Sequence, residues 1–353
     1  MVSSVETFET TDTGPWATTS RRLLARHIIG SGLELGPGNV PFPVGPGTSV
    51  RVVDRWRPEE NHDVFAEWGL EVAEFVVPDI VADLNTDRLQ AVPDASQDFV
   101  ICSHVLEHLA EPIGLLADMH RVLRPGGVAM IYLPDRRRTY DRYRNGTPLS
   151  HLVAEYEAGV TEVDNEHIVD FLTNVALPSE SSSSVTRGMP IGDSPEERRE
   201  HLDRWRRYSI HVHCWEAQEF LSMLLYGIEH LGWRWEFVDG MVTEDEGELG
   251  IEFGFVLRVC TSEVTSAALR EHLDASWHVW HEARLGRLRV LGEGAASQAR
   301  LERIDRSVPM RLYHLGKRVT RRTRDRKLRE RPPASAPLGR WSRALVAARR
   351  GPR

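Results

Sequence analysis

The sequence predicts an α/β fold built on a mostly parallel sheet, and three observations predict it. Short apolar runs at 31–35, 50–54, 98–103 and 128–133 have the length and continuous apolarity of strands buried on both faces. Helix-patterned stretches at 58–68 and 113–123 alternate with them, as crossovers between parallel strands require. The strand ends also carry acids and glycines: Gly36 and Gly38 follow the first run and Asp54 ends the second.

Taken in order, residues 1–20 are Ser/Thr-rich and read as disordered, and 21–29 as a short helix leading into strand one. Prolines at 41, 43 and 46 prevent a long helix directly after that strand. A helix over 58–68 stops at Gly69, and a strand-like segment follows over 79–84. Residues 98–103 form a strand running into a helical turn at 104–109, and the helix 113–123 ends at Arg124-Pro125-Gly126-Gly127. Residues 135–208 break the rhythm. They are polar, carry a serine run at 181–184 and a charged helix at 195–207, and read as an inserted cap over the carboxyl edge of the sheet. A helix at 215–231 and strands at 233–238 and 251–259 resume the pattern, joined by an acidic link over 239–250. Residues 267–291 place Leu269, Leu273, Trp277, Trp280 and Leu288 near one helical stripe, read as packing. The expected organisation is therefore 1–20 disordered, 21–134 and 209–261 as two parts of one sheet domain, 135–208 as the cap, 262–306 as a helical extension and 307–353 as a basic tail.

Composition narrows the function classes. The 353 residues carry a net charge of −8, but 303–353 hold 17 Lys/Arg against 3 Asp/Glu, leaving −22 on residues 1–302. An acidic body argues against nucleic-acid binding by the folded part. The tail mixes apolar and arginine positions from Val308 onward and offers a surface for anionic lipid or a partner, or a solvated extension. Three scattered cysteines, no leader pattern and no membrane-length apolar run make a reduced cytoplasmic setting the expectation.

Several strand-end features line up in the order a nucleotide-binding sheet needs. Glu34-Leu35-Gly36-Pro37-Gly38 gives a bend free of side chains, and Asp54, sixteen residues after Gly38, can accept ribose hydroxyls. Asp83-Leu84 lies at the third strand end, where a carboxylate and an amide can read an adenine edge. Together with Asp98-Phe-Val-Ile-Cys-Ser-His-Val-Leu-Glu-His-Leu and Leu123-Arg-Pro-Gly-Gly, these residues resemble class I S-adenosylmethionine-dependent methyltransferases, in the type 11-like subgroup whose fourth strand runs into a Val-Leu-Glu-His-Leu turn. The resemblance covers about 30–134 closely and 209–260 more loosely. It implies a Rossmann-like seven-stranded sheet with helices on both faces and its last strand antiparallel, and S-adenosyl-L-methionine as cofactor. It further implies Gly36 and Gly38 beside the methionine portion with Glu34 supporting that loop, Asp54 on the ribose, Asp83 and Leu84 on the adenine, and Ser103 and His104 near the sulfonium. Where the family's loop often has a third glycine this chain has Val40 and Pro41, which points to a shortened or displaced following helix.

Methyl transfer from a sulfonium requires alignment, desolvation and, for a hydroxyl or amine acceptor, a base. Candidates are His104, Asp135, His167, His211 and His213, histidine suiting the task because it titrates near neutrality. The run Asp135-Arg-Arg-Arg-Thr-Tyr-Asp-Arg-Tyr-Arg144 follows strand five, so its guanidinium groups are placed either to grip an anionic or sugar-bearing small acceptor or to pair with the acidic body. His104-Val-Leu-Glu107-His108 also spells the H-x-x-E-H pattern of one zinc-peptidase class, but no third ligand is identifiable and no metal is assigned. A binder that keeps the cofactor site without turnover is the third reading.

Overall fold

The computed structural model describes residues 19–61, 75–178, 185–242, 250–262 and 267. The chain divides into two compact units, 1–307 and 308–353, and every described residue belongs to the first. The expected disordered N-terminus up to residue 18, most of the 58–68 helix, the serine run, most of the helical extension and the basic tail lie outside the described residues.

Seven strands form one sheet: β1 (Ser31–Leu35), β2 (Ser49–Asp54), β3 (Ile80–Val81), β4 (Gln97–Ser103), β5 (Leu123–Pro134), β8 (Trp235–Met241) and β9 (Glu252–Val259). Their order is β3-β2-β1-β4-β5-β9-β8. The first five pair in parallel, and β9 runs antiparallel to both β5 and β8. This is the Rossmann-like sheet with the antiparallel final strand that the motifs imply. Strand order reverses at β1/β4, the place where open α/β sheets bind ligands beyond the carboxyl ends of their strands.

Alternation along the strands sends two apolar sets to opposite faces. Leu33, Leu35, Val100, Cys102, Ala129, Ile131 and Leu133 share a cluster with α2 (Pro112–Val122) and α6 (Ala217–His230). Phe99, Ile101, Met130, Tyr132 and Val256 share the other with Leu24, Ala25 and Ile28 of α1 (Thr19–Ala25) and the turn after it, and with Phe42. Pro112 opens α2, while Glu111 caps it by accepting the Gly114 amide.

Two departures from the sequence expectation have physical causes. No helix connects β1 to β2; residues 36–48 run as turns, because four prolines and three left-handed glycines occupy the segment. The cap is more ordered than its polarity suggested. It contains α3 (Leu149–Ala158), whose Leu152 joins the sheet's cluster with α2 and α6. It also contains α4 (Asn165–Asn174), the hairpin β6 (Ala176–Pro178) and β7 (Val185–Arg187), and α5 (Pro195–Arg206), which surround a core of Ile168, Phe171, Leu172, Leu202, Trp205, Ile210 and Val212. Asp164 and Ser194 cap α4 and α5 through the amides of His167 and Glu197.

Gly32 in β1 fixes the approach of β1 to β4, since a Cβ there would sit 2.2 Å from the Phe99 carbonyl oxygen, which the ladder holds in place. Gly32→Ala is expected to cost roughly 3 kcal/mol of stability in urea unfolding; a loss below about 0.5 kcal/mol would mean that the strands are not this close.

Candidate active site

The parallel strands bring their carboxyl ends to one edge of the sheet. The registers Leu35↔Val53, Leu35↔Cys102, Asp54↔Val81 and Ser103↔Tyr132 place Gly36, Asp54, the 82–84 segment and His104 along it. Gly36 and Gly38 both have left-handed backbones, φ +54° and +56°. The Gly36 amide donates to the Val53 carbonyl at 2.8 Å, and the Asp54 carboxylate accepts the Arg55 amide at 2.6 Å. The bend is thus tied to the strand end that carries Asp54. A Cβ on Gly36 would meet Val105 Cγ2 at 3.1 Å, so the bend lies against the β4 tip as well.

Burial raises the Asp54 carboxyl above its ordinary value. Asp83 is joined to this tip by Arg55, whose Nε lies 2.8 Å from Asp83 Oδ2 while its guanidinium stacks 4.4 Å over the Trp56 ring. Asp83 also accepts the Asn85 amide, and Leu84 is buried beside it. Glu34 accepts the Phe42 amide at 2.6 Å, and burial pushes its carboxyl up to about 7. It therefore braces the loop that follows the glycines. Arg55 was not singled out in the sequence; its position directly after the β2 acid was the available signal.

His104, next to the intermediate-exposed Ser103, takes a left-handed backbone at φ +57°, uncommon for a residue with a side chain. Its Nε2 lies 2.7 Å from Glu252 Oε2, and its Nδ1 lies 3.4 Å from Glu107 Oε1. Arg21 grips the same Glu252 with contacts of 2.9 and 2.6 Å. The two carboxylates outweigh burial and raise the His104 ring to about 9, so it is a cation at neutral pH.

The cap reaches this edge through Glu107. Its carbonyl accepts the amides of Val212 and His213 at 2.7 and 3.1 Å, and its buried carboxylate faces His108 and His211 at 3.8 and 3.9 Å. His211 Nδ1 lies 2.5 Å from Asp141 Oδ2, and Tyr140 packs against the ring at 4.5 Å between centroids. Arg144 holds Asp141 at 2.9 Å, reaches Asp170 at 2.8 Å and donates to the carbonyls of His211 and Val212.

Comparison with known proteins follows the same lines as the geometry. Residues 61–131 match the family model described as a methyltransferase domain. The chain carries a methyltransferase domain. A search of curated proteins returned no match. Similar solved structures include a protein from Pyrococcus horikoshii OT3, at 15% identity over 67% of this chain and 87% of that one, with a TM-score of 0.33. Others are a Burkholderia thailandensis 1,6-didemethyltoxoflavin-N1-methyltransferase bound to 1,6-didemethyltoxoflavin and S-adenosylhomocysteine (14% identity, 70% and 80% covered, TM-score 0.34) and a Mesorhizobium loti S-adenosylmethionine-dependent methyltransferase (14% identity, 68% and 97% covered, TM-score 0.35).

Within the methyltransferase domain and its cap, the base candidates separate. His104 is occupied as a cation. Asp135 is fully buried, and both of its oxygens accept from Arg137 at 3.0 and 2.6 Å. His167 sits in α4 beside Glu155 and Asp164 at 3.2 and 2.9 Å, and those two acids raise it against burial. His213 is fully buried next to Glu155. His211 has Nδ1 held by the buried Asp141 and Nε2 facing Glu107 Oε1 at 3.9 Å, whereas both nitrogens of His104 face acids, at 2.7 and 3.4 Å. The arginine run is also largely engaged: Arg136 pairs with Glu216 and Glu219, Arg137 with Asp135 and Glu216, and Arg144 with Asp141 and Asp170.

Because the folded His104 ring titrates near 9 against an ordinary value of 6.5, its pairing stabilises the fold fully below about pH 6.5 and is lost as pH rises through about 9. Unfolding measured from pH 6 to 10 is expected to show a decline on the order of 2 kcal/mol that His104→Asn, which tolerates the left-handed backbone, removes. An identical decline in that variant would place the titrating group elsewhere.

Proposed function

We propose that the protein transfers a methyl group from S-adenosyl-L-methionine to a hydroxyl of a small-molecule acceptor, with His211 as general base. The observation that carries this reading is that the left-handed Gly36–Gly38 bend is bonded, through the Gly36 amide and the Val53 carbonyl, to the strand end that bears Asp54. A bend without side chains and a hydroxyl-accepting acid therefore stand side by side. A Cβ added at Gly38 would meet only Phe75 Cε1, at 3.9 Å, so the backbone there leaves room for a ligand, while Gly36 packs on Val105.

The cofactor, when bound, supplies a methyl group already activated on a sulfonium. Gly36 and Gly38 would border its methionine portion, Asp54 would accept its ribose hydroxyls, and Asp83 and Leu84 would flank the adenine. Arg55 holds Asp83 in place, and Glu34 keeps the loop after the glycines from collapsing into the bend.

On the acceptor side, Asp141 fixes the His211 tautomer with the proton on Nδ1 and leaves Nε2 to take one from an acceptor hydroxyl. Arg144 keeps Asp141 ionised, and the Asp141 carboxyl is held below its ordinary range chiefly by His211 and Arg144 acting against burial. The engaged state of Arg136, Arg137 and Arg144 favours a neutral, hydroxyl-rich acceptor such as a sugar over one gripped by free guanidinium groups.

Incubation with methyl-labelled cofactor and a panel of sugars, sugar nucleotides, phenols, amines and carboxylates tests the reading. Label is expected to move to a hydroxyl compound, and His211→Asn is expected to lower kcat by about 100-fold or more while leaving cofactor affinity within about twofold. Transfer to no acceptor class despite tight cofactor binding would favour the non-catalytic binder, and full kcat in His211→Asn would remove His211 as the base.

A further inference from the structure

We propose that the cap holds a divalent transition-metal ion of the zinc type, bound by His151, Glu155, His167 and His213. These four side chains come from three separate segments, α3, α4 and the extended stretch before α6, and their donor atoms all lie within 4.8 Å of one another.

The separations are those of a coordination shell. His151 Nε2 lies 3.0 Å from His167 Nε2 and 3.0 Å from Glu155 Oε1; His167 Nε2 lies 3.2 Å from that oxygen, and His213 Nε2 lies 3.4 Å from Glu155 Oε2. Donors about 2.0–2.1 Å from a tetrahedral zinc ion are about 3.3 Å from each other. Local structure explains how the donors converge. His151 and Glu155 are one turn apart on α3 and project from the same face. Asp164 Oδ1 accepts both the amide of His167 and its ring Nδ1, each at 2.9 Å. The second contact orients the ring so that Nε2 faces the other donors, the usual carboxylate support for a metal-bound histidine.

A second observation points to a ligand. Glu155 Oε2 is buried and has no hydrogen-bond partner among the described residues. His213 is fully buried, and Glu155 is 7% exposed. An ion between the donors accounts for this orphaned carboxylate oxygen, which faces His213 Nε2, a nitrogen whose other contact is a long 3.4 Å one to the Ala110 carbonyl. Three imidazoles and one carboxylate select zinc and its neighbours over magnesium or calcium, which prefer all-oxygen shells. His151 is half-exposed, so the ion has a route in from solvent.

The consequence is structural. The ion would cross-link α3 and α4 to the segment that carries His211, two residues from His213. It would therefore hold the cap against the sheet edge without touching the reacting atoms. The inference is independent of the acceptor and of turnover.

Untagged full-length protein, stripped with chelator, reloaded with zinc and passed through a desalting column, is expected to retain about one equivalent per chain. Cobalt in place of zinc should give the intense visible bands of a four-coordinate ion. His213→Gln and Glu155→Gln should each weaken retention by about 10-fold or more. The half-exposed His151→Gln, expected to fold, should alter the cobalt spectrum, while exposed His230→Gln should change nothing. Retention well below one equivalent in the parent protein would overturn the proposal. So would retention unaffected by His213→Gln and His151→Gln, or lost in His108→Gln but kept in those two.

Discussion

Carboxylates buried at the carboxyl edge of a sheet are tolerable only when each is given a cation or an amide, and that requirement organises this protein. Glu252, Asp135, Asp141, Glu107 and Glu34 are all 3% exposed or less. Arg21 and His104 answer Glu252, Arg137 answers Asp135, Arg144 and His211 answer Asp141, and the Phe42 amide answers Glu34. Removing one partner of such a pair leaves a charge in a medium that cannot solvate it, so each pair constrains geometry more than it adds net stability. The constraint brings α1, the β4 tip, the start of β9 and the cap to the same edge.

The cap is docked there by Glu107 as well as by Leu152 of α3, which joins the main apolar cluster. The Glu107 carbonyl receives two amides from the 212–213 stretch, and its carboxylate stands among His104, His108 and His211. One residue of the β4 motif therefore touches both the cofactor side and the acceptor side of the site. Burial drives the His108 ring down to about 4 while the same acid helps raise His104 to about 9. Neighbouring histidines thus carry different charges at neutral pH because one is enclosed by apolar chain and the other by two carboxylates.

Much of the sheet was legible because parallel strands buried on both faces leave unbroken apolar runs. The 31–35 run matches β1 residue for residue, and β2, β4 and β9 begin within one residue of expectation. The third strand shrinks to Ile80–Val81, since it lies at the sheet edge with one neighbour, the Asp79 carboxylate takes the Val52 amide before it, and Asp83 accepts the Asn85 amide in the turn after it. Helices α3 and α4 escaped notice because their apolar positions, such as Leu152 with Val153 and Ile168 with Phe171 and Leu172, are few among charged residues. α4 packs on the cap's own core, while Leu152 of α3 joins the sheet's cluster with α2 and α6.

The site was legible where it depends on backbone and illegible where it depends on distant partners. Gly36, Gly38, Asp54 and Asp83 could be placed because strand order fixes them. The state of His104 could not, since Glu252, 148 residues away, acts on it together with Glu107. Arg144 likewise looks like a surface residue in the sequence and is buried against Asp141, Asp170 and two carbonyls. The most direct test of the central claim is a crystal structure of the full chain with S-adenosylhomocysteine. The account predicts the ribose hydroxyls on Asp54, the adenine beside Asp83 and Leu84, and the amino-acid portion over the Gly36–Gly38 bend. The product bound elsewhere, with the bend and Asp54 untouched, would contradict it.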